Sequence, residues 1–161
     1  MLKKERLTRR SMVALMASAA VTAIGKATAE PSAATSVKVY KESTCGCFAI
    51  WARHMTSAGF AVETIDVPDI NRIKTQLGVP GRLATCHTAE AGGYLVEGHV
   101  PAVVVKRLLS EKPQARGIAV PGMPAGSPGM EGGTPEVYAV FLFGGPNGPS
   151  VYARCSGDRE I

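Results

Sequence analysis

The polar–apolar pattern divides the chain into short units. Val37-Lys38-Val39-Tyr40 alternates and predicts a strand. Phe48, Trp51, Ala52 and Met55 recur at three- and four-residue spacing and predict a helix that ends at Gly59, with Ser43 or Thr44 as its cap. Phe60 to Asp66 returns to strand character. Asp66 and Pro68 then open a second helix whose buried face is Ile70, Ile73 and Leu77, stopped by Gly78 and Pro80. Thr85–Ala91 and Tyr94–Glu97 flank Gly92-Gly93 as a hairpin. Pro101 opens a third helix with Val104, Leu108 and Leu109 inward, ending before Pro113.

Residues 117–135 are rich in glycine and proline and repeat Pro-Gly-Met at Pro121–Met123 and Pro128–Met130. They read as a long loop, a length that in a compact domain is usually functional or disordered. Val137–Phe143 is an apolar strand, Gly144–Pro149 a turn and Ser150–Arg154 a closing strand, with 156–161 as a tail. The order predicts an α/β fold: a thioredoxin-like sandwich over 37–155, with a Gly/Pro/Met-rich loop and a C-terminal β-hairpin.

The first 29 residues follow another logic. A basic start containing Arg9-Arg10, an apolar stretch from Met12 to Ile24, and Ala27-Thr28-Ala29 form the layout of a secretory signal. Thr8–Val13 is similar to a twin-arginine signal; a general-route signal with a fortuitous arginine pair is the alternative. The apolar stretch is shorter than the roughly 20 residues of a membrane span. The expected product is a periplasmic protein with no lasting membrane insertion, beginning with a linker over 30–36. Cleavage after Ala29 removes six basic residues and one acidic residue, which takes the formal charge from +5 to zero. A nucleic-acid partner calls for a basic patch on the mature domain, and none is visible.

All four cysteines, Cys45, Cys47, Cys86 and Cys155, lie in the exported part, where disulfides can persist. Cys45-Gly46-Cys47 precedes the first helix, whose free amides and dipole favour a thiolate. The C-x-C spacing suits two thiolates on one soft metal better than the C-x-x-C exchange chemistry of thiol oxidoreductases. Cys86-His87 is a second donor pair; both reach one site only where the backbone is irregular, because adjacent strand residues face opposite ways. Met123 and Met130 offer thioethers from a loop that has no other use for large apolar side chains, gap-filling against the sheet being the alternative. His54 reads as structural or solvent-facing, Met55 as core. His99 sits on an extended approach to the third helix, within conceivable reach of the site. Cys155 stays open between free thiol, half-disulfide and extra ligand.

The stretches Val39–Lys41 and Thr44–Cys47, Leu77–Pro80 with Cys86–Thr88, Tyr94–Pro101, and Val120–Met130 resemble a bacterial family of predicted metal-binding proteins whose copper-resistance members are called CopG-like. The resemblance implies an exported thioredoxin-like domain that binds copper and acts in copper handling or redox cycling. The family pattern usually reads Cys-Gly-Cys-Cys, and here Phe48 takes the last place. Two consequences are open: fewer metal ions, or Cys155 as a substitute ligand. The combined expectation is a copper-homeostasis or resistance protein, more a metal-binding protein than an enzyme, holding Cu(I) through Cys45, Cys47 and Cys86, with His87, Met123 and Met130 as further ligands. Zn(II) would also accept such donors. A thiol–disulfide oxidoreductase of the cell envelope and a disulfide-stapled module without metal are the alternatives.

Overall fold

The computed structural model describes residues 34–161. The signal-like stretch 1–29 and most of the expected linker lie outside them. Within the described residues the chain forms strand β1 (Ser36–Lys41), helix α1 (Phe48–Ser57), β2 (Ala61–Asp66), α2 (Ile70–Leu77), a 3₁₀ turn (Gly81–Leu83), β3 (His87–Ala91), β4 (Tyr94–Glu97), α3 (Ala102–Glu111), β5 (Gly117–Ala119), β6 (Val137–Phe143), β7 (Ser150–Ser156) and β8 (Arg159–Glu160). The strands join into one mixed sheet in the order β2-β1-β3-β4-β5-β6-β7-β8. β1 runs parallel to β2, β4 parallel to β5, and the remaining neighbours are antiparallel.

Strand alternation divides the core between the two faces of the sheet. Val37, Val39, Ala89, Ala91, Val96, Ile118, Val140 and Ala153 pack with Phe48, Trp51 and Met55 of α1 and Val104, Val105 and Leu108 of α3. Residues of the other parity, Leu95, Ala119 and Phe143, pack with Val79 and Leu83 after α2. Each large apolar side chain so buried contributes roughly 1.5–3 kcal/mol relative to exposure. The predicted apolar stripe of α1 is therefore the one that faces the sheet.

Several expectations are corrected. Neither Ser43 nor Thr44 caps α1: both lie in a turn, with Cys45 N donating to Glu42 O at 3.1 Å, and Cys47 takes the cap position with no side-chain cap bond. Helix α2 is capped by Asp69, which accepts from Arg72 N at 3.1 Å, whereas Asp66 ends β2 and pairs with Lys41 Nζ. Pro68 thus precedes the helix. On α2, Ile70 is buried as expected, but Lys74 takes the central buried place, with Ile73 and Leu77 at its margins.

The expected 117–135 loop begins with β5, a central strand of the sheet. Three residues are too few to show a period, and Gly117 hides the strand further by having no side chain. A Cβ there would lie 2.2 Å from Leu95 O, so glycine is what lets β5 close on β4. The expected tail likewise contains β8, which pairs with β7.

Candidate metal centre

The site forms where three chain segments meet: the turn before α1, the bend before β3 and the exit of β4. Cys45 and Cys47 flank Gly46, with their sulfurs 3.8 Å apart. Cys86 lies on a bend one residue before β3, so it escapes strand alternation and turns the same way as its neighbour. Its Sγ sits 3.6 Å from Cys47 Sγ and 3.1 Å from His87 Nδ1. His99 follows β4 and brings Nε2 to 3.3 Å from the same sulfur. The result is two overlapping donor groups, Cys45–Cys86–His87 and Cys47–Cys86–His99, each with ligand atoms within 4.8 Å of one another.

The surroundings are dry on one side and open on the other. His87 and His99 are fully buried. The His87 ring packs 4.6 Å from Trp51, 5.7 Å from Phe48 and 5.3 Å from His99, centroid to centroid. Opposite, a cleft of about 430 Å³ lined by Glu42, Thr44, Ile70, Asn71 and Thr85 leads to the three thiols. The sulfurs are therefore reachable while the imidazoles are held from behind.

Burial sets the protonation of this cluster. It pushes the Cys45 and Cys86 thiols above the ordinary cysteine value; Cys47 adds to the push on Cys45, which Cys86 partly opposes, and Cys45 and Cys47 both add to the push on Cys86. The Phe48 amide at the helix start opposes this for Cys45, but it is the smaller effect. The expectation of a readily formed thiolate from helix position alone is corrected for Cys45: desolvation outweighs the hydrogen bond from the Phe48 amide. Burial likewise holds His87 well below the ordinary histidine value and lowers His99. Neutral imidazoles and clustered soft sulfurs are a donor set that fits a soft cation, whose charge would offset the cost of deprotonating buried thiols.

A family of proteins of unknown function, DUF411, matches residues 83–130. No curated protein matches the chain. Two solved structures do, titled copper resistance protein CopG, Form 2 and Form 1. The first is 39% identical, with 76% of this chain and 98% of the other covered and a TM-score of 0.71. The second is 40% identical over the same shares, with a TM-score of 0.69. The chain belongs to the CopG-like copper-resistance family.

For this CopG-like chain the structure brings together Cys45, Cys47, Cys86 and His87 from the sequence-derived set, and adds His99. Met123 is 55% exposed on the loop, and Met130 is half-buried, its amide donating to Ser127 O at 2.7 Å. Cys155 is buried in the core on β7, opposite Tyr138 on β6, and belongs to neither donor group. His54 is structural: its Nε2 accepts from Ala102 N at 2.9 Å and so caps α3, which has no cap of its own. Phe48 packs inward against Trp51 and His87, as its place on the stripe requires.

A second network holds the site from below, and sequence reading missed it. Lys74 Nζ donates to Glu97 Oε1 at 2.5 Å and to Thr88 Oγ1 at 2.7 Å, with the lysine and glutamate side chains 3% and 0% exposed. Glu97 Oε1 also accepts from Thr85 N at 2.6 Å, which fixes the residue preceding Cys86. The available signal was Lys74 between Ile70 and Leu77 on the helix face predicted to be buried.

Proposed function

We propose that this protein is an exported Cu(I)-binding protein of the cell envelope that acts in copper homeostasis or resistance. One observation carries the reading: three thiols from two separate segments converge with two neutral imidazoles, and Cys86 Sγ belongs to both donor groups. Cys45, Cys47 and Cys86 are the core ligands, joined by imidazole from His87 or His99. Met123 and Met130 are outer thioether donors on the loop beside the site. Thiolate-rich sets favour Cu(I), and Zn(II) is the competitor that Cys₃His coordination also accepts. The names of the two CopG structures support copper over zinc.

The strand order β2-β1-β3-β4, with α1 and α2 as connections and α3 following β4, supports a thioredoxin-like reading of the N-terminal part of the sheet. Residues 1–29 are proposed as the export signal and the periplasm as the destination. Among the described residues no helix is long and apolar enough to cross a membrane. The oxidoreductase alternative has the C-x-C spacing against it, and the upward push on Cys45 speaks against that residue as its nucleophile.

Metal analysis of anaerobically purified mature protein tests the function. Copper retained in about stoichiometric amount, and lost in a Cys45→Ala/Cys47→Ala variant, is expected. No copper retained, or retention unchanged in that variant, overturns the reading. Insulin reduction by the metal-free protein would favour the oxidoreductase instead.

A further inference from the structure

The two imidazoles at the thiol cluster differ in what lies behind them. His99 Nδ1 is 2.7 Å from Pro128 O. A carbonyl only accepts, so Nδ1 carries the proton and Nε2, which faces Cys86 Sγ, presents its lone pair. His87 faces Cys86 through Nδ1, and its Nε2 is buried with no hydrogen-bond partner. Metal-binding histidines nearly always donate their second ring N–H to a carbonyl, carboxylate or water, which fixes tautomer and ring orientation. His99 has that arrangement.

The carbonyl belongs to a short strap in the Gly/Pro/Met loop. Ser127, Pro128 and Gly129 are buried. Gly126 N donates to Met130 O at 2.8 Å, Met130 N to Ser127 O at 2.7 Å, and Gly129 N to Glu131 Oε1 at 2.9 Å. Gly129 has φ +95°, and a Cβ there would lie 2.9 Å from His99 Nδ1 and 3.0 Å from Cys47 O. The strap therefore touches the backbone of one cysteine and the ring of one histidine at a single residue with no room for a side chain.

From this we infer that the strap Gly126–Met130 is a positioning element: Pro128 O and Gly129 fix His99 so that Nε2, and not His87, is the imidazole donor to the thiol-held metal. The inference rests on the proposed metal-binding reading. The repeated Pro-Gly-Met unit then has unequal halves. Gly122 of the first copy has φ +72° and nothing within 4 Å of a Cβ, while Gly129 of the second is pressed against the site.

That inequality supplies the control. Gly122→Ala and Gly129→Ala place alanine at similar left-handed backbone positions, but only the second pushes on His99. In the metal-free protein, nitrogen-15 and carbon-13 shifts of the imidazoles report the tautomers. Wild type and Gly122→Ala are expected to show His99 as the Nδ1–H form, and Gly129→Ala a shifted ring or a tautomer mixture. In Cu(I) competition with a chromophoric chelator, Gly129→Ala is expected to weaken binding roughly 10- to 100-fold, the range for outer-shell disruption, and Gly122→Ala by less than about threefold. Where Gly129→Ala does not fold, Glu131→Ala, which removes the acceptor for the Gly129 amide without adding bulk, is expected to show the same change in smaller measure. An Nε2–H tautomer at His99 in wild type overturns the inference, as does equal Cu(I) affinity in the two glycine variants or an unchanged His99 spectrum in the strap variant that folds. Failure of wild type to bind Cu(I), with the Nδ1–H tautomer present, would overturn the functional reading and the donor role that rests on it while leaving the strap's positioning of His99 standing, since the tautomer is read without metal.

Discussion

Glu97 accepts a hydrogen bond from the Thr85 amide at 2.6 Å, and Thr85 is the residue before Cys86. The same carboxylate oxygen receives Lys74 Nζ, so a buried ion pair is tied to the backbone that aims the shared cysteine. Removing one partner leaves an uncompensated buried charge, which typically costs about 3–5 kcal/mol, whereas replacing both with apolar groups of similar volume is often close to neutral. Lys74→Met alone is expected to lower urea-unfolding stability by that amount. Lys74→Met/Glu97→Leu is expected to recover part of it while still weakening Cu(I) binding, because Thr85 N loses its acceptor. Full recovery of both stability and metal affinity in the double variant would contradict this role for Glu97.

Cys86 is the sulfur shared by both donor groups, in contact with Cys47, His87 and His99. Cys86→Ser is therefore expected to reduce Cu(I) affinity more than Cys45→Ser or Cys47→Ser, by at least about tenfold beyond either. Competition titration against a chromophoric Cu(I) chelator measures it. Trp51, the single tryptophan, lies 4.6 Å from His87 and gives an independent fluorescence readout of events at the site.

Phe48 occupies the position where the family pattern usually carries a further cysteine. Its ring is buried against Trp51 and His87. Phe48→Cys exchanges that packing for a small side chain and a cavity, and is expected to cost about 3 kcal/mol, the low end of phenylalanine truncations. The urea midpoint should fall at unchanged m-value. A stability equal to wild type would show that the ring is not part of the core.

His54 gives the fold a pH dependence of its own. Burial lowers its pKa, opposed by the Asp158 and Glu131 carboxylates, and the ring accepts the Ala102 amide at the start of α3. Because the folded-state value lies below the unfolded value of about 6.5, the unfolded chain takes up this proton first. The His54 contribution is therefore complete above about pH 6.5. It is lost as the pH falls from there towards the folded-state value. Metal-free wild type is expected to lose more stability between about pH 7.5 and pH 5 than His54→Gln, whose amide oxygen still accepts the Ala102 N–H. Urea midpoints across that range measure the difference, and parallel curves would refute it.

Buried Cys155 should be the slow thiol. It packs in the core with its pKa pushed up by burial to about 11, whereas Cys45, Cys47 and Cys86 are each partly open to solvent. Native alkylation of the metal-free protein is expected to reach Cys45, Cys47 and Cys86, with Cys45 and Cys86 slowed by their raised pKa, and to reach Cys155 only in denaturant, because burial alone closes it off. Rapid labelling of all four would place Cys155 outside the core.

The sequence by itself determined the parts that depend on local rules. The α1 stripe of Phe48, Trp51 and Met55, the hairpin around Gly92-Gly93 and the α/β alternation follow from periodicity and turn chemistry. The donor chemistry of Cys45, Cys47 and Cys86-His87 follows from residue type. Helix boundaries were less legible, because Asp66 and Asp69 are equally good caps until the chain direction is known. Tertiary structure alone decided which distant groups meet. β5 is a strand because β4 and β6 flank it, Lys74 is buried because Glu97 waits across the sheet, and His99 joins Cys86 because β4 ends beside the bend. Each of these is a contact between segments far apart in the chain. No local pattern encodes the loop closures that bring them together.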